Sequence, residues 1–168
     1  MKLPLAFKTL RITRHHMLRE LDGLSHEDLL VIPDGRDDNI LWNVGHPLCS
    51  LSRLTYVFSG HPLPIPERYL ELFGKGTSAR NWTENPDPAE VLEQFKALPA
   101  QIEADYLAGN FKDYKPLQIT PADTIDSVEE AVAFHCFHEG LHIGMIITLK
   151  ELQGHATADT RPVVPGSS

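Results

Sequence analysis

Imidazoles are the side chains in this sequence whose type and spacing could do chemistry. His135, His138 and His142 crowd the segment FHCFHEGLHIGMIITLKELQG, residues 134–154. On a helix, residues four apart share a face with Cβ atoms roughly 6 Å apart. His138 and His142 have that spacing, and two such imidazoles can ligate one ion through Zn–N bonds of about 2.0 Å. A third ligand must come from another helix. His46 is the best candidate, because it stands beside Trp42 on a face expected to lean inward. Three neutral imidazoles suit zinc, nickel, iron or copper, and three protein ligands leave a coordination position open for water or substrate. A bound ion can acidify water to a pKa of about 7, or stabilise a thiolate. H-x-x-x-H is common on ordinary helices. Three histidines in one stripe are harder to explain by packing, since each buried imidazole needs a partner to offset a desolvation cost of about a few kcal/mol.

Neighbouring residues have quieter readings. His135, one turn before His138, could be a fourth ligand, a supporting donor or a proton shuttle, but packing one layer deeper is the reading adopted. Glu139 is expected to point off the stripe into solvent. Cys49, one turn after His46, is expected to pack as a small hydrophobe. Trp42 and Tyr56 are expected in the core and at its rim. Arg53 could hold an anionic substrate group, although a surface ion pair is the commoner fate. His15 and His16 are adjacent, about 100° apart on a helix, and are expected to be solvated.

The elements that must position these residues are helices. A first apolar stripe of Leu10, Met17, Leu18 and Leu21 predicts a helix over 7–22, ended by Gly23. Ser25 is a plausible N-cap for a short turn over 25–30. A second helix is predicted from Asp38 or Asn39 to Gly60, with Pro47 expected to kink it and to push His46 away from helical angles. The proline-punctuated connection 61–88 is long enough to cross over a bundle or cover a site, with one buried helical turn around Tyr69 to Phe73. A third helix is predicted from Asp87 and Pro88 to Gly109, bent at Pro99. Residues 111–125 read as a loop or a short extended pair. The fourth helix begins at Asp126 or Ser127, where S-x-x-E matches a capping box, and runs to Gly154. Its stripe reads Val128, Ala131/Val132, His135, His138, His142, Met145, Leu149, Leu152. The fold class is all-α: a four-helix bundle with a long crossover between helices two and three, occupying 1–154, followed by a loosely held tail over 155–168.

Three stretches then carry a resemblance. WNVGH at 42–46, LFGKGT at 72–77 and HEGLHIGMI at 138–146 resemble the DinB/YfiT-like metalloenzymes, with order and spacing agreeing over roughly 7–154. The resemblance implies a four-helix bundle with a histidine triad, one residue from helix two and two from helix four, which falls on His46, His138 and His142. It implies a divalent metal, zinc or nickel, with open coordination, and a small-molecule substrate that in some relatives is a low-molecular-weight thiol. Such relatives include thiol-dependent S-transferases and a mycothiol-dependent maleylpyruvate isomerase, and dimers are frequent among them. Two departures are visible: Met145 stands where the family often has Gln, and Pro47 directly follows the helix-two histidine.

Composition limits the remaining choices. The chain has 168 residues, 42% of them hydrophobic and 23% charged, which suits one globular domain. Its net charge of −8 and lack of a basic run argue against a nucleic-acid partner. No signal-peptide pattern and no apolar run of about 20 residues stand out, so a membrane partner is not expected. Two cysteines, Cys49 and Cys136, fit a reducing, cytoplasmic setting better than a disulfide scaffold. The leading expectation is a metal-dependent enzyme performing thiol S-transfer or metal-assisted hydrolysis. The alternatives are a metal-binding bundle without catalysis, favoured by a fourth ligand from His135 or Cys49, and a structural helical protein with hydrogen-bonded core histidines.

Overall fold

A computed structural model describes residues 3–155 of the chain. Four long helices dominate it: α1 (Leu5–Glu20), α3 (Ile40–Thr55), α5 (Pro88–Ala108) and α6 (Val128–Leu152). Two short helices, α2 (His26–Leu30) and α4 (Arg68–Phe73), lie in the connections. The only strands among the described residues are β1 (Leu117–Gln118) and β2 (Thr124–Ile125), an antiparallel pair with Leu117 opposite Ile125. The protein is all-α, as its periodicity predicts. The expected tail lies, from residue 156 onward, outside the described residues.

The helix starts follow from local chemistry. Asn39 caps α3 by accepting from the Trp42 amide at 2.7 Å. Ser25 and Asp28 form a reciprocal capping box on α2. Asp87 caps α5 with Pro88 in the first turn, and Gly109 closes it at φ 79°, a left-handed angle that glycine adopts without a Cβ clash. Ser127 caps α6, while the Glu130 carboxylate takes the Asp126 amide rather than that of the cap residue. Both internal prolines are accommodated: α3 runs unbroken through Pro47 and α5 through Pro99. His46 therefore keeps its place within the helix, contrary to the expectation from its proline neighbour.

Cross-helix contacts fix the directions. α1 and α6 are parallel, because Arg14 meets Glu139 and Glu20 meets Lys150. α3 is antiparallel to α6, with Asn43 against His142 and Leu54 packed in one cluster with Ala131. α5 is antiparallel to α1, with Phe7 on Tyr106 and Arg14 reaching Phe95. It follows that α3 and α5 run the same way, so a tight turn cannot join them. The segment from Tyr56 to Asp87, with α4 inside it, makes that crossing. Contacts run in a ring, α1 to α6 to α3 to α5 and back to α1. Inside it lie Phe7, Leu10, Met17, Val44, Leu48, Leu51, Phe95, Ile102, Val132, Ile146 and Leu149, all buried. Each such side chain contributes about 1.5–3 kcal/mol on burial.

α6 departs from its predicted stripe by one residue. The buried face runs Val128, Val132, His135, Glu139, His142, Ile146, Leu149, in steps of four and three. Glu139 and Ile146 replace His138 and Met145 on it, and Leu152 is exposed. By length and composition α6 is apolar enough to cross a membrane, which corrects the expectation that no such stretch exists. Its packing against α1 and α3, with a buried ion pair on one side, is that of a core helix.

Candidate metal centre

The site is built from the first two turns of α3, the middle of α6 and the end of α4. One turn after the Asn39 cap comes Asn43, then Gly45 and His46. The Phe73 ring lies so close to Gly45 that a Cβ there would overlap Phe73 Cδ1. This approach places the Phe73 carbonyl against His46, which donates from Nδ1 at 2.7 Å. The carbonyl can only accept, so the proton is on Nδ1 and Nε2 carries a lone pair. Trp42 stacks on the His46 ring at 4.8 Å and 13°. Its indole N–H is held in turn by Thr77 Oγ1 at 2.9 Å, just beyond α4.

His142 is oriented the same way by a different residue. Its Nδ1 donates to Asn43 Oδ1 at 2.8 Å, while the Asn43 amide nitrogen donates to Asp38 Oδ2 at 3.0 Å and to the Asn39 carbonyl at 2.9 Å. Those donations fix the Asn43 amide orientation, and with it the bare Nε2 of His142. His138 Nε2 lies 3.3 Å from His142 Nε2, and its buried Nδ1 has no hydrogen-bond partner. Ligand atoms of His46, His138 and His142 all lie within 4.8 Å of one another. Two nitrogens on one tetrahedral ion with bonds of about 2.0–2.1 Å sit about 3.3 Å apart. The His138–His142 pair has that separation, so the donor set fits a divalent cation. With His142 Nε2 bare, His138 Nε2 either donates its own proton across this gap or presents a second lone pair to a shared cation.

Electrostatics favour the neutral, ligating form. Burial lowers the His46 pKa, although the Phe73 carbonyl opposes the shift. Burial, then His138 and His46, bring His142 down to about 3; burial, then His46, bring His138 down to about 4. Near neutral pH no proton competes strongly for these nitrogens.

A cavity of about 520 Å³ opens directly beside His46 and His138. Arg53, Leu54, Phe58 and Phe134 also line it, together with Leu117 and Gln118 of β1. Cys49 lines it but is no nucleophile: the thiol donates to the Tyr69 carbonyl at 3.3 Å, and burial pushes its pKa up to about 12.

The remaining expectations divide. His135 is fully buried, 3.5 Å from Glu139 Oε1 and outside the ligand cluster, so packing one layer deeper describes it. Trp42 and Tyr56 exchange their expected places: Trp42 is half-buried, stacked on His46, and Tyr56 is buried in the core. His15 is exposed and His16 half-buried. Glu139 needs correction: it is fully buried and paired with buried Arg14. Its neighbour on the helix faces α3, but Glu139 itself turns about 100° away toward α1, where Arg14 and Thr13 meet it. Arg53 likewise has no ion pair among the described residues, contrary to its expected surface pairing. Asn43 and Arg14 were not among the sequence candidates. The signal for Arg14 is its place on the Leu10–Met17–Leu21 stripe, and that for Asn43 is its single-turn spacing from His46.

A helical fold holding three convergent imidazoles beside a cavity defines a class of protein able to seat an ion between packed helices. The DinB superfamily model matches residues 9–146, and the chain belongs to that superfamily. No curated protein matches the chain.

Proposed function

We propose that this chain is a metal-dependent enzyme of the DinB type, in which His46, His138 and His142 hold one divalent ion, zinc or nickel. The observation that carries this reading is the set of three imidazoles, two of them pre-oriented by Asn43 and Phe73, beside an open cavity. When bound, the ion would supply Lewis acidity and lower the pKa of a ligated thiol or water. The chain's own residues would do the rest. Asn43 and Phe73 hold the imidazole tautomers, Trp42 backs the His46 ring, and the cavity admits a small molecule past Phe58 and Phe134.

Thiol S-transfer to an electrophile is the reaction favoured here, with metal-assisted hydrolysis second. Cys49 donates to the Tyr69 carbonyl, which favours a low-molecular-weight substrate as the source of the reacting sulfur. A sensor or sequestering role would need a fourth protein ligand. Neither His135, packed on Glu139, nor Cys49, bonded to Tyr69, joins the cluster. Free cysteines, both buried, suit a reducing cytoplasm. We also propose a homodimer through the outer face of α6, where Phe137 is 64% and Leu141 53% exposed.

The deciding experiment is elemental analysis of protein purified without a histidine tag, beside the His138→Ala variant. One equivalent of metal in the parent and its loss in the variant is the expected result. A folded parent that takes up no zinc or nickel on reconstitution would end this reading.

A further inference from the structure

The cavity beside the histidines has a charge pattern opposite to that of the molecule. The chain carries 23 acidic and 15 basic residues, yet no carboxylate lines this cavity. Its only charged side chains apart from histidine are Arg53 and Lys75, and neither has an ion-pair partner among the described residues. Both belong to the elements that build the centre. His46, Cys49, Ser50 and Arg53 follow one another along a single face of α3, at steps of three, one and three. Seven residues place Arg53 about 10 Å from His46 along the helix axis. Lys75 lies between Gly74 and Gly76, two residues after the carbonyl that orients His46. Besides Cys49, Ser50 and Gln118, the rest of the lining is largely apolar, including Leu54, Phe58, Leu70, Ile119 and Phe134.

We propose that this cavity takes a small organic acid, with its carboxylate held by Arg53, its apolar body along Leu54, Phe58 and Phe134, its opposite end at the histidines, and Lys75 adding positive charge to the lining. The guanidinium fork matches a carboxylate in a two-point hydrogen bond, which an apolar wall strengthens by excluding water. The acid group thus sets which end of the substrate reaches His46 and His138. This inference rests on the reading that an ion held there is the reacting centre. It adds the chemical class of what is brought to it.

The probes are octanoate and octanamide, equal in length and differing in charge. Binding to zinc-loaded and chelator-stripped protein is followed by chemical-shift titration, in the parent and in Arg53→Gln, Lys75→Gln and the double variant. The parent is expected to prefer the acid by about five- to tenfold, since the cations are partly exposed to solvent. Arg53→Gln should remove most of that preference and the double variant all of it, with zinc stoichiometry and far-ultraviolet circular dichroism unchanged. Equal binding of acid and amide by the folded parent overturns the proposal. So does a preference that survives in the double variant but vanishes on stripping the metal, because the carboxylate would then sit on the ion. A preference that follows Arg53 in a protein unable to bind zinc supports the anion site and removes the metal reading instead. Stoichiometric zinc with no anion preference does the reverse.

Discussion

Residues 138 and 139 are neighbours on α6, and the two polar regions they enter are built on opposite principles. Glu139 enters a closed account of donors and acceptors. Arg14 Nε reaches Glu139 Oε1 at 3.1 Å, its terminal nitrogen meets the same oxygen, and Thr13 Oγ1 lies 3.0 Å from Oε2. The other terminal nitrogen of Arg14 donates to the Phe95 carbonyl, and its guanidinium covers the Phe95 ring at 3.5 Å. His138 enters the opposite situation. Its Nδ1 has no partner, and its Nε2 faces the bare Nε2 of His142. A buried polar group with all its partners is a structural element; a cluster of neutral imidazoles with an unpartnered nitrogen is one that can take a cation. The helix therefore separates architecture from chemistry by a rotation of about 100°.

The largest effect should come from breaking the closed side. Arg14→Met leaves a buried carboxylate unpaired, and Glu139→Gln leaves a buried guanidinium. Each is expected to lower the unfolding free energy by about 3–5 kcal/mol, measured by urea denaturation. The double change Arg14→Met with Glu139→Leu should restore most of the loss, because well-packed apolar residues replace such pairs at little cost. Single variants within about 1 kcal/mol of the parent would show that the pair is hydrated and that the contrast with His138 is false.

On the open side, Asn43→Leu keeps the volume but removes the acceptor that fixes His142. Metal affinity should fall about 10- to 100-fold in competition with a chromogenic chelator, as for other residues that orient ligands. Unaltered affinity would mean that packing alone holds the ring. Gly45→Ala tests the same side from its other anchor. The new methyl cannot coexist with the Phe73 ring, so α4 must shift and carry away the carbonyl that holds His46. A stability loss of about 1–3 kcal/mol is expected, with weaker metal binding. If the thermal midpoint and the affinity both match the parent, the close approach has no part in orienting the ligand.

These contrasts also explain what could be read from residues alone. The four long helices, the caps at Asn39, Asp87 and Ser127, and the long crossover were legible because they depend on short-range patterns. The spacing of His138 and His142 was legible for the same reason, and WNVGH proves to be four contacts in five residues. Trp42 stacks on His46, Asn43 holds His142, Gly45 admits Phe73, and His46 faces the cluster. Glu139 was misread because a charged residue looks solvent-facing until its partner is known, and Arg14 lies 125 positions away on another helix. That one assumption rotated the apparent stripe of α6 onto His138 and Met145. Pro47 worked in the other direction: a local rule predicted that His46 would leave helical angles, yet α3 continues through both residues.

The smallest effect is in pH. His142 and His138 are held at about 3 and about 4, against an ordinary value of about 6.5 in the unfolded chain. Below pH 6.5 the unfolded chain binds protons that the folded metal-free protein refuses, so unfolding becomes easier as pH falls. Stability is fully present above pH 6.5, declines toward pH 4, and levels off below the folded values. A full imidazole would contribute about 1.4 kcal/mol per pH unit across this window; the partly exposed His138 contributes less. His142→Asn in chelator-treated protein should flatten the slope between pH 6 and 4 by about 1 kcal/mol per unit. A parent whose urea midpoint does not change across that range would mean that the folded imidazoles accept protons freely. The open cluster would then be satisfied by protonation, and its difference from the Arg14–Glu139 side would no longer favour a cation as its partner.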